Sequence, residues 1–171
     1  ELASATSPYT GEKINRFLHI AESNEDLFLQ NKMQRKLGQL TGTCFQRCVG
    51  MDAFNALHSV TFEIDEQHNT EYHKNFINFL TEMHKYNLVI GGAMTDVKGD
   101  RSKLPHEQED EDVYLRIVKR TEDGVYVKGA KAHQTGCINS HWMVVMPTLR
   151  LSDKDTDYAI VGAIPVDAEG I

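Results

Sequence analysis

The sequence predicts an α+β chain, with helices first and strands second. Three observations carry this. Up to about residue 87, apolar residues recur at steps of three and four. Beyond residue 88 the runs shorten, alternate and are separated by turn residues. Finally, 171 residues with ordinary hydrophobic and charged content suit one medium domain or two small ones. The change of pattern divides the chain into a helical domain, 1–87, and a β domain, 88–171.

Residues 1–13 are small, polar and punctuated by Pro8 and Gly11, which predicts a loop or frayed arm. "INRFLHIAE" (14–22) predicts a short helix. Asn24, followed by Glu25 and Asp26, offers an N-cap with acids in the first turn. One helical pattern then runs to about Leu57 through Leu27, Met33, Leu37, Leu40, Cys44, Cys48 and Met51. Gly38, Gly42 and Gly50 weaken it by up to about 1 kcal/mol each. Residues 58–69 carry no clear pattern. Asn69 and Thr70 predict the cap of the next helix, whose stripe is Tyr72, Phe76, Phe79, Leu80 and Met83, ending near Asn87. "LVIGGAMTDVKGDRSKLPHEQEDED" reads as a short strand and a long polar loop, with 106–112 a solvated acidic run. "VYLRIVKRTEDGVYVKG" predicts a hairpin turning at Asp123-Gly124. Strands follow at 142–149 and 158–166. The chain starts at Glu1 and stops just after a strand-like run, from which a piece of a longer chain is expected.

A net charge of −7 argues against sequence-independent nucleic-acid binding, which needs a basic footprint. No apolar run approaches the roughly 20 residues of a membrane span. Three cysteines, an odd number, argue against a disulfide framework. Without an export signal at the start, a reducing cytoplasm is expected.

Three stretches can carry chemistry. Cys44 and Cys48 stand four apart; on a helix their Cβ atoms would lie roughly 5–6 Å apart on one face. That is wide for a disulfide and suitable for two thiolates on one metal centre, with Arg47 near enough to favour the thiolate. Two small buried residues are the alternative. "KGAKAHQTGCINSHW" adds His133, Cys137 and His141, and with Cys44 and Cys48 completes a Cys/Cys/His/Cys zinc set on paper. Its short polar residues suit either a turn or the polar edge of a planar cofactor. "GGAMTDVKGDRSK" mixes hydroxyl, carboxylate and cation after two glycines. It matches no nucleotide-binding fingerprint, and from its residues alone a surface loop is the simpler reading.

Taken together, "KMQRKLGQLTGTCFQRCVGMDAFNA", "GAMTDVKGDRS" and "KGAKAHQTGCINSHWMVVMPT" resemble the 4-hydroxybutyryl-CoA dehydratase branch of the 4-hydroxyphenylacetate 3-monooxygenase-like flavoproteins. The resemblance runs from about Gly11 to Ile171. It implies an acyl-CoA dehydrogenase-like architecture, truncated here to most of an N-terminal helical domain and the start of a β-barrel-like middle domain. It also implies FAD and a [4Fe–4S] cluster as cofactors, an acyl-CoA substrate and a homotetramer at full length, with no nucleic-acid or membrane partner. Cys44 and Cys48 would be two cluster ligands, the others and the catalytic residues lying beyond Ile171; the zinc set would then be coincidental. Met94, Thr95, Asp96, Asp100, Arg101, Ser102, Lys103, Gln134 and Thr135 would line the FAD site, with His133 and Ser140 as weaker candidates. The implied reaction is radical dehydration to crotonyl-CoA, with isomerisation of vinylacetyl-CoA alongside. A flavin-dependent aromatic monooxygenase of the same group and a non-enzymatic, zinc-stabilised binding module are the rival readings.

Overall fold

The computed structural model describes residues 2–42 and 48–171, side chains at 48–51 excepted. Helices and sheets are both present, as the α+β expectation requires. The described helices are α1 (Asn24–Thr41), α2 (Cys48–His68) and α3 (Tyr72–Lys85). The strands are β1 (Ser4–Thr6), β2 (Lys13–Asn15), β3 (Ile90–Ala93), β4 (Arg116–Thr121), β5 (Gly124–Lys128), β6 (Trp142–Val145) and β7 (Gly162–Pro165). They form a β1–β2 pair, a β3–β6–β7 sheet and a β4–β5 hairpin, and no closed barrel arises among the described residues.

The first 22 residues depart from expectation. The arm is not frayed: Ser4, Ala5 and Thr6 pair antiparallel with Asn15, Ile14 and Lys13. Residues 14–22 are not a helix. Ile14 belongs to β2, and only a 3-10 turn over Arg16–Leu18 follows. The buried Arg16 decides this. Its Nε donates to the Leu2 carbonyl at 2.8 Å and its guanidinium to the Ser4 carbonyl at 2.5 Å. Those bonds tie two segments distant in sequence, which a local periodicity cannot register.

The pattern from 24 to 57 is broken rather than continuous. Ser23 caps α1 by accepting from the Asp26 amide at 3.2 Å, so the start falls one residue before the predicted Asn24. α1 stops at Gly42, whose φ of 67° is left-handed, and whose N–H donates to the Gly38 carbonyl at 2.9 Å. Glycine meets that conformation without steric cost. α2 then covers the unassigned 58–68.

α3 has the predicted stripe. Phe76, Leu80 and Met83 are buried, while Tyr72 at its first turn is exposed. Its cap is not Asn69 or Thr70. Asp65, reaching from α2, accepts from the Tyr72 and His73 amides, each at 2.9 Å, and from the Thr70 hydroxyl at 2.5 Å. This carboxylate satisfies amides that would otherwise be orphaned and lies at the positive helix end. Burial works to raise its pKa, but these bonds outweigh that and hold it below the usual carboxylate range.

One core joins both halves. Ile14, Leu18, Ile20, Phe54, Phe76, Leu80 and Met83 meet Ile90 and Val144 of the central sheet. Phe79 stands edge-on to Trp142 at 5.2 Å between ring centroids. Parallel pairing of Ile90–Ala93 with Trp142–Val145 places β3 and β6 side by side beneath α2, and α3 reaches β6 through Phe79.

The acidic run is solvated as expected, with Glu107, Glu109, Asp110 and Glu111 exposed, but it is anchored at both ends. Asp155 is fully buried and accepts from the His106 amide and ring and from the Ser152 amide and hydroxyl. Burial alone would raise its pKa, but those bonds overcome it and hold the carboxyl well below the usual range. Asp112 pairs with Arg116 and Lys128.

A buried histidine gives this fold an acid sensitivity. His84 Nε2 donates to the Leu18 carbonyl at 2.8 Å, so its Nδ1 accepts from the Ser7 hydroxyl at 2.8 Å. Ser7 Oγ accepts in turn from the Tyr9 and Thr10 amides. The latch holds only while His84 is neutral. Desolvation lowers its pKa, helped by His19 and opposed by the bond to Leu18. The unfolded imidazole takes up its proton near pH 6.5, the folded one only at lower pH. The unfolded state therefore binds more protons in that interval, and stability falls as pH drops below about 6.5. His58, lowered by burial and by His73, acts in the same direction. His84→Gln should flatten the dependence of the urea midpoint between about pH 5 and 7 relative to the parent; an unchanged slope would contradict the latch.

Candidate functional site

The central sheet ends in a group of loops that brings two of the sequence-predicted stretches together. β3 reads Ile-Gly-Gly-Ala, and Gly91 is required by packing. A Cβ there would lie 2.6 Å from Met143 Sδ and 3.0 Å from Ser140 Oγ. This close approach lets β3 lie flat against β6.

Past Ala93 the backbone stays extended. Asp96 bridges Lys131 in antiparallel sense, and the Ala132 amide donates to the Thr95 carbonyl at 2.9 Å. Met94–Asp96 and the 133–136 loop are therefore neighbours. His133 sits at φ 57° and Gly136 at φ 89°. The Thr135 amide donates to the His133 carbonyl at 2.8 Å, and the Cys137 amide to the Gln134 carbonyl at 3.1 Å. Gln134 Nε2 donates to the Ala132 carbonyl at 2.5 Å, and Ser140 Oγ to the Gly136 carbonyl at 2.9 Å. This turn is thus folded on itself. It leaves the side chain of Thr135 exposed, along with those of Met94 and Thr95 on the adjoining segment.

The Asp100–Lys103 segment forms its own turn. Asp100 Oδ1 accepts from the Ser102 amide at 2.9 Å and hydroxyl at 2.6 Å. These bonds, with Lys103 nearby, lower the Asp100 pKa. Gln108 holds the turn from beneath, accepting from the Asp100 amide and donating to its carbonyl. Arg101 and Lys103 are exposed, so the turn presents cations to its surroundings. Among the described residues no hydrogen bond or ion pair joins it to Gln134 or Thr135.

Asp96 is differently placed from its neighbours. Its side chain is only 5% exposed. One oxygen accepts from Lys131 Nζ at 2.5 Å, the other from the Thr148 amide and hydroxyl, each at 2.8 Å. Sequence reasoning missed Lys131 and Thr148. Only the strand register sets them opposite Asp96, and no local motif signals it.

Cys44 lies outside the described residues, as does the side chain of Cys48, the first residue of α2. Their shared helical face and the influence of Arg47 fall there too. Cys137 is a free, partly buried thiol. Among the described residues no three His, Cys, Asp or Glu side chains converge as a metal site. No helix among them is long and apolar enough to cross a membrane.

Helices packed over a β3–β6–β7 platform, with a polar loop cluster beside it, define an α+β arrangement. Over residues 1–171 the sequence matches the family described as 4-hydroxyphenylacetate 3-hydroxylase N terminal, and the chain belongs to that family. It is 52% identical over all 171 residues to the 4-hydroxybutyryl-CoA dehydratase/vinylacetyl-CoA-Δ-isomerase of Clostridium aminobutyricum, of which it covers 35%. The structure of an oxygen-tolerant archaeal 4-hydroxybutyryl-CoA dehydratase from N. maritimus superposes with a TM-score of 0.94 at 72% identity, over 99% of this chain and 34% of that one. The FAD-complexed oxygenase component of 4-hydroxyphenylacetate 3-monooxygenase shares the fold, with a TM-score of 0.72 at 19% identity over 99% of this chain and 34% of that one. The chain spans about a third of the length of these relatives.

Proposed function

We propose that the full-length protein converts 4-hydroxybutyryl-CoA to crotonyl-CoA and isomerises vinylacetyl-CoA to the same product. The observation that carries this is identity of 52% and 72% along essentially the whole chain to two dehydratases. Identity to the monooxygenase components is 24–28% in sequence and 19% in structure.

The chain's own contribution is to the flavin. Thr95, beside the Asp96–Lys131 bridge, and Thr135, in the loop that follows Lys131, are exposed, and neither hydroxyl bonds to a described residue, so both can meet a ligand. That donor and acceptor set suits the polar edge of an isoalloxazine ring, and Met94 offers an apolar contact beside it. Arg101 and Lys103 suit the anionic diphosphate, with Asp100 and Ser102 shaping their turn. Gln134 keeps the Thr135 loop in form. Cys44 and Cys48 would hold the [4Fe–4S] cluster as two thiolate ligands. FAD supplies one-electron chemistry for a C3–H bond of negligible acidity, and the cluster a Lewis acid for the C4 hydroxyl.

In this reading residues 1–87 belong to a helical domain and 88–171 to a barrel-like middle domain of an acyl-CoA dehydrogenase-like homotetramer in the cytoplasm. Vinylacetyl-CoA tests the activity simply. Purified full-length protein with FAD and iron is expected to yield crotonyl-CoA. Hydroxylation of 4-hydroxyphenylacetate in place of isomerisation would overturn the reading in favour of the monooxygenase.

A further inference from the structure

Lys131 carries a buried positive charge that no part of the flavin reading uses. Its side chain is 8% exposed, and that of its partner Asp96 is 5% exposed. Removing two charges from water is costly and is offset only when every donor and acceptor is met. Here they are met. The three ammonium protons have three acceptors: Asp96 Oδ1 at 2.5 Å, the Met146 carbonyl at 2.6 Å and the Met94 carbonyl at 3.4 Å. The second Asp96 oxygen takes both donors of Thr148. Thr148 Oγ1 also reaches the Met94 carbonyl at 3.3 Å.

Three backbone segments meet at this point: 94–96 after β3, 131–132 between β5 and the Thr135 loop, and 146–148 after β6. A single isolated bridge joins the first two in place of a β ladder. An apolar pair would fill the same volume but would not fix their register.

We propose that Lys131, paired with Asp96, is a positioning residue that sets Thr95 and Thr135 at the spacing the flavin edge requires. The proposal rests on the flavin reading above and refines it. The Asp96 carboxylate is committed to the clamp, so Asp96 acts through backbone position rather than through a side-chain bond to the cofactor. Alternation along extended backbone puts Thr95 on the face opposite Asp96. This matches the exposure of one and burial of the other.

The test uses full-length protein, FAD titration and the visible circular dichroism of the bound flavin. Lys131→Met should weaken FAD binding about tenfold or more and alter the dichroism at saturating FAD. The double variant Lys131→Met/Asp96→Leu, free of an unpaired buried charge, should regain thermal stability yet keep the altered dichroism. A merely structural clamp would restore both. Wild-type affinity and dichroism in Lys131→Met would overturn the proposal while leaving the flavin reading intact. Failure of the parent protein to bind FAD would overturn that reading and the proposal with it. Should Lys131→Met not fold, Thr148→Val decides, since it removes one hydroxyl donor and strands no charge. A several-fold weaker FAD affinity supports the clamp, and unchanged affinity overturns it.

Discussion

Replacing Cys44 and Cys48 together by serine in the full-length protein is expected to remove its iron and abolish dehydration, while FAD binding persists. The physical reason lies in the ligand atom. A cysteine thiol ionises near pH 8.5 and lower beside a cation, and its soft sulfur suits iron–sulfur centres. A serine hydroxyl stays protonated and offers a hard oxygen. The proposed flavin segments, 94–103 and 133–136, are far along the chain from either cysteine, so FAD retention would separate loss of the proposed cluster from loss of the fold. Iron per protomer and turnover of 4-hydroxybutyryl-CoA check it. Parental iron content in the double variant would contradict the assignment. Stoichiometric zinc that disappears in His133→Ala would favour the zinc-stabilised module.

Phe54→Ala is expected to destabilise the protein by about 3–5 kcal/mol. Phe54 is 1% exposed, and stands edge-on to Phe76 at 5.8 Å and to Phe79 at 6.1 Å. It lies where α2 meets both α3 and the sheet, so truncation leaves a void bordered by two rigid rings and a strand. Neither ring can collapse into it without losing its own contacts with Trp142 or the core. Phe54→Leu, closer in volume, should cost less than the alanine variant. The urea midpoint of the full-length variants measures this. A Phe54→Ala midpoint equal to the parent's would show that α2 is not held through this residue.

What the sequence revealed about the fold follows the range of each interaction. The α3 stripe was legible because Phe76, Leu80 and Met83 repeat within one helix. The hairpin was legible because its turn is local. Thr121 pairs with Gly124, so the two turn residues are Glu122 and Asp123, one position before the predicted Asp123-Gly124. The β1–β2 pair was not legible. Three-residue strands carry little alternation, and the Arg16 bonds to Leu2 and Ser4 that fix them span 12 to 14 positions. The Asp65 cap was missed for the same reason, being supplied by a preceding helix rather than by residues adjoining α3. At the candidate site, the polar character of 94–103 and 133–136 could be read directly. The clamp that brings 94–96 to 131–132 could not, because its members Asp96, Lys131 and Thr148 meet only through strand register.

The most direct measurement of the central claim is the product formed from 4-hydroxybutyryl-CoA by purified full-length protein under anoxic conditions. The account predicts crotonyl-CoA, with C2 and C3 each losing one hydrogen, C4 gaining one and its hydroxyl leaving as water. Unchanged 4-hydroxybutyryl-CoA from protein loaded with FAD and iron would contradict it.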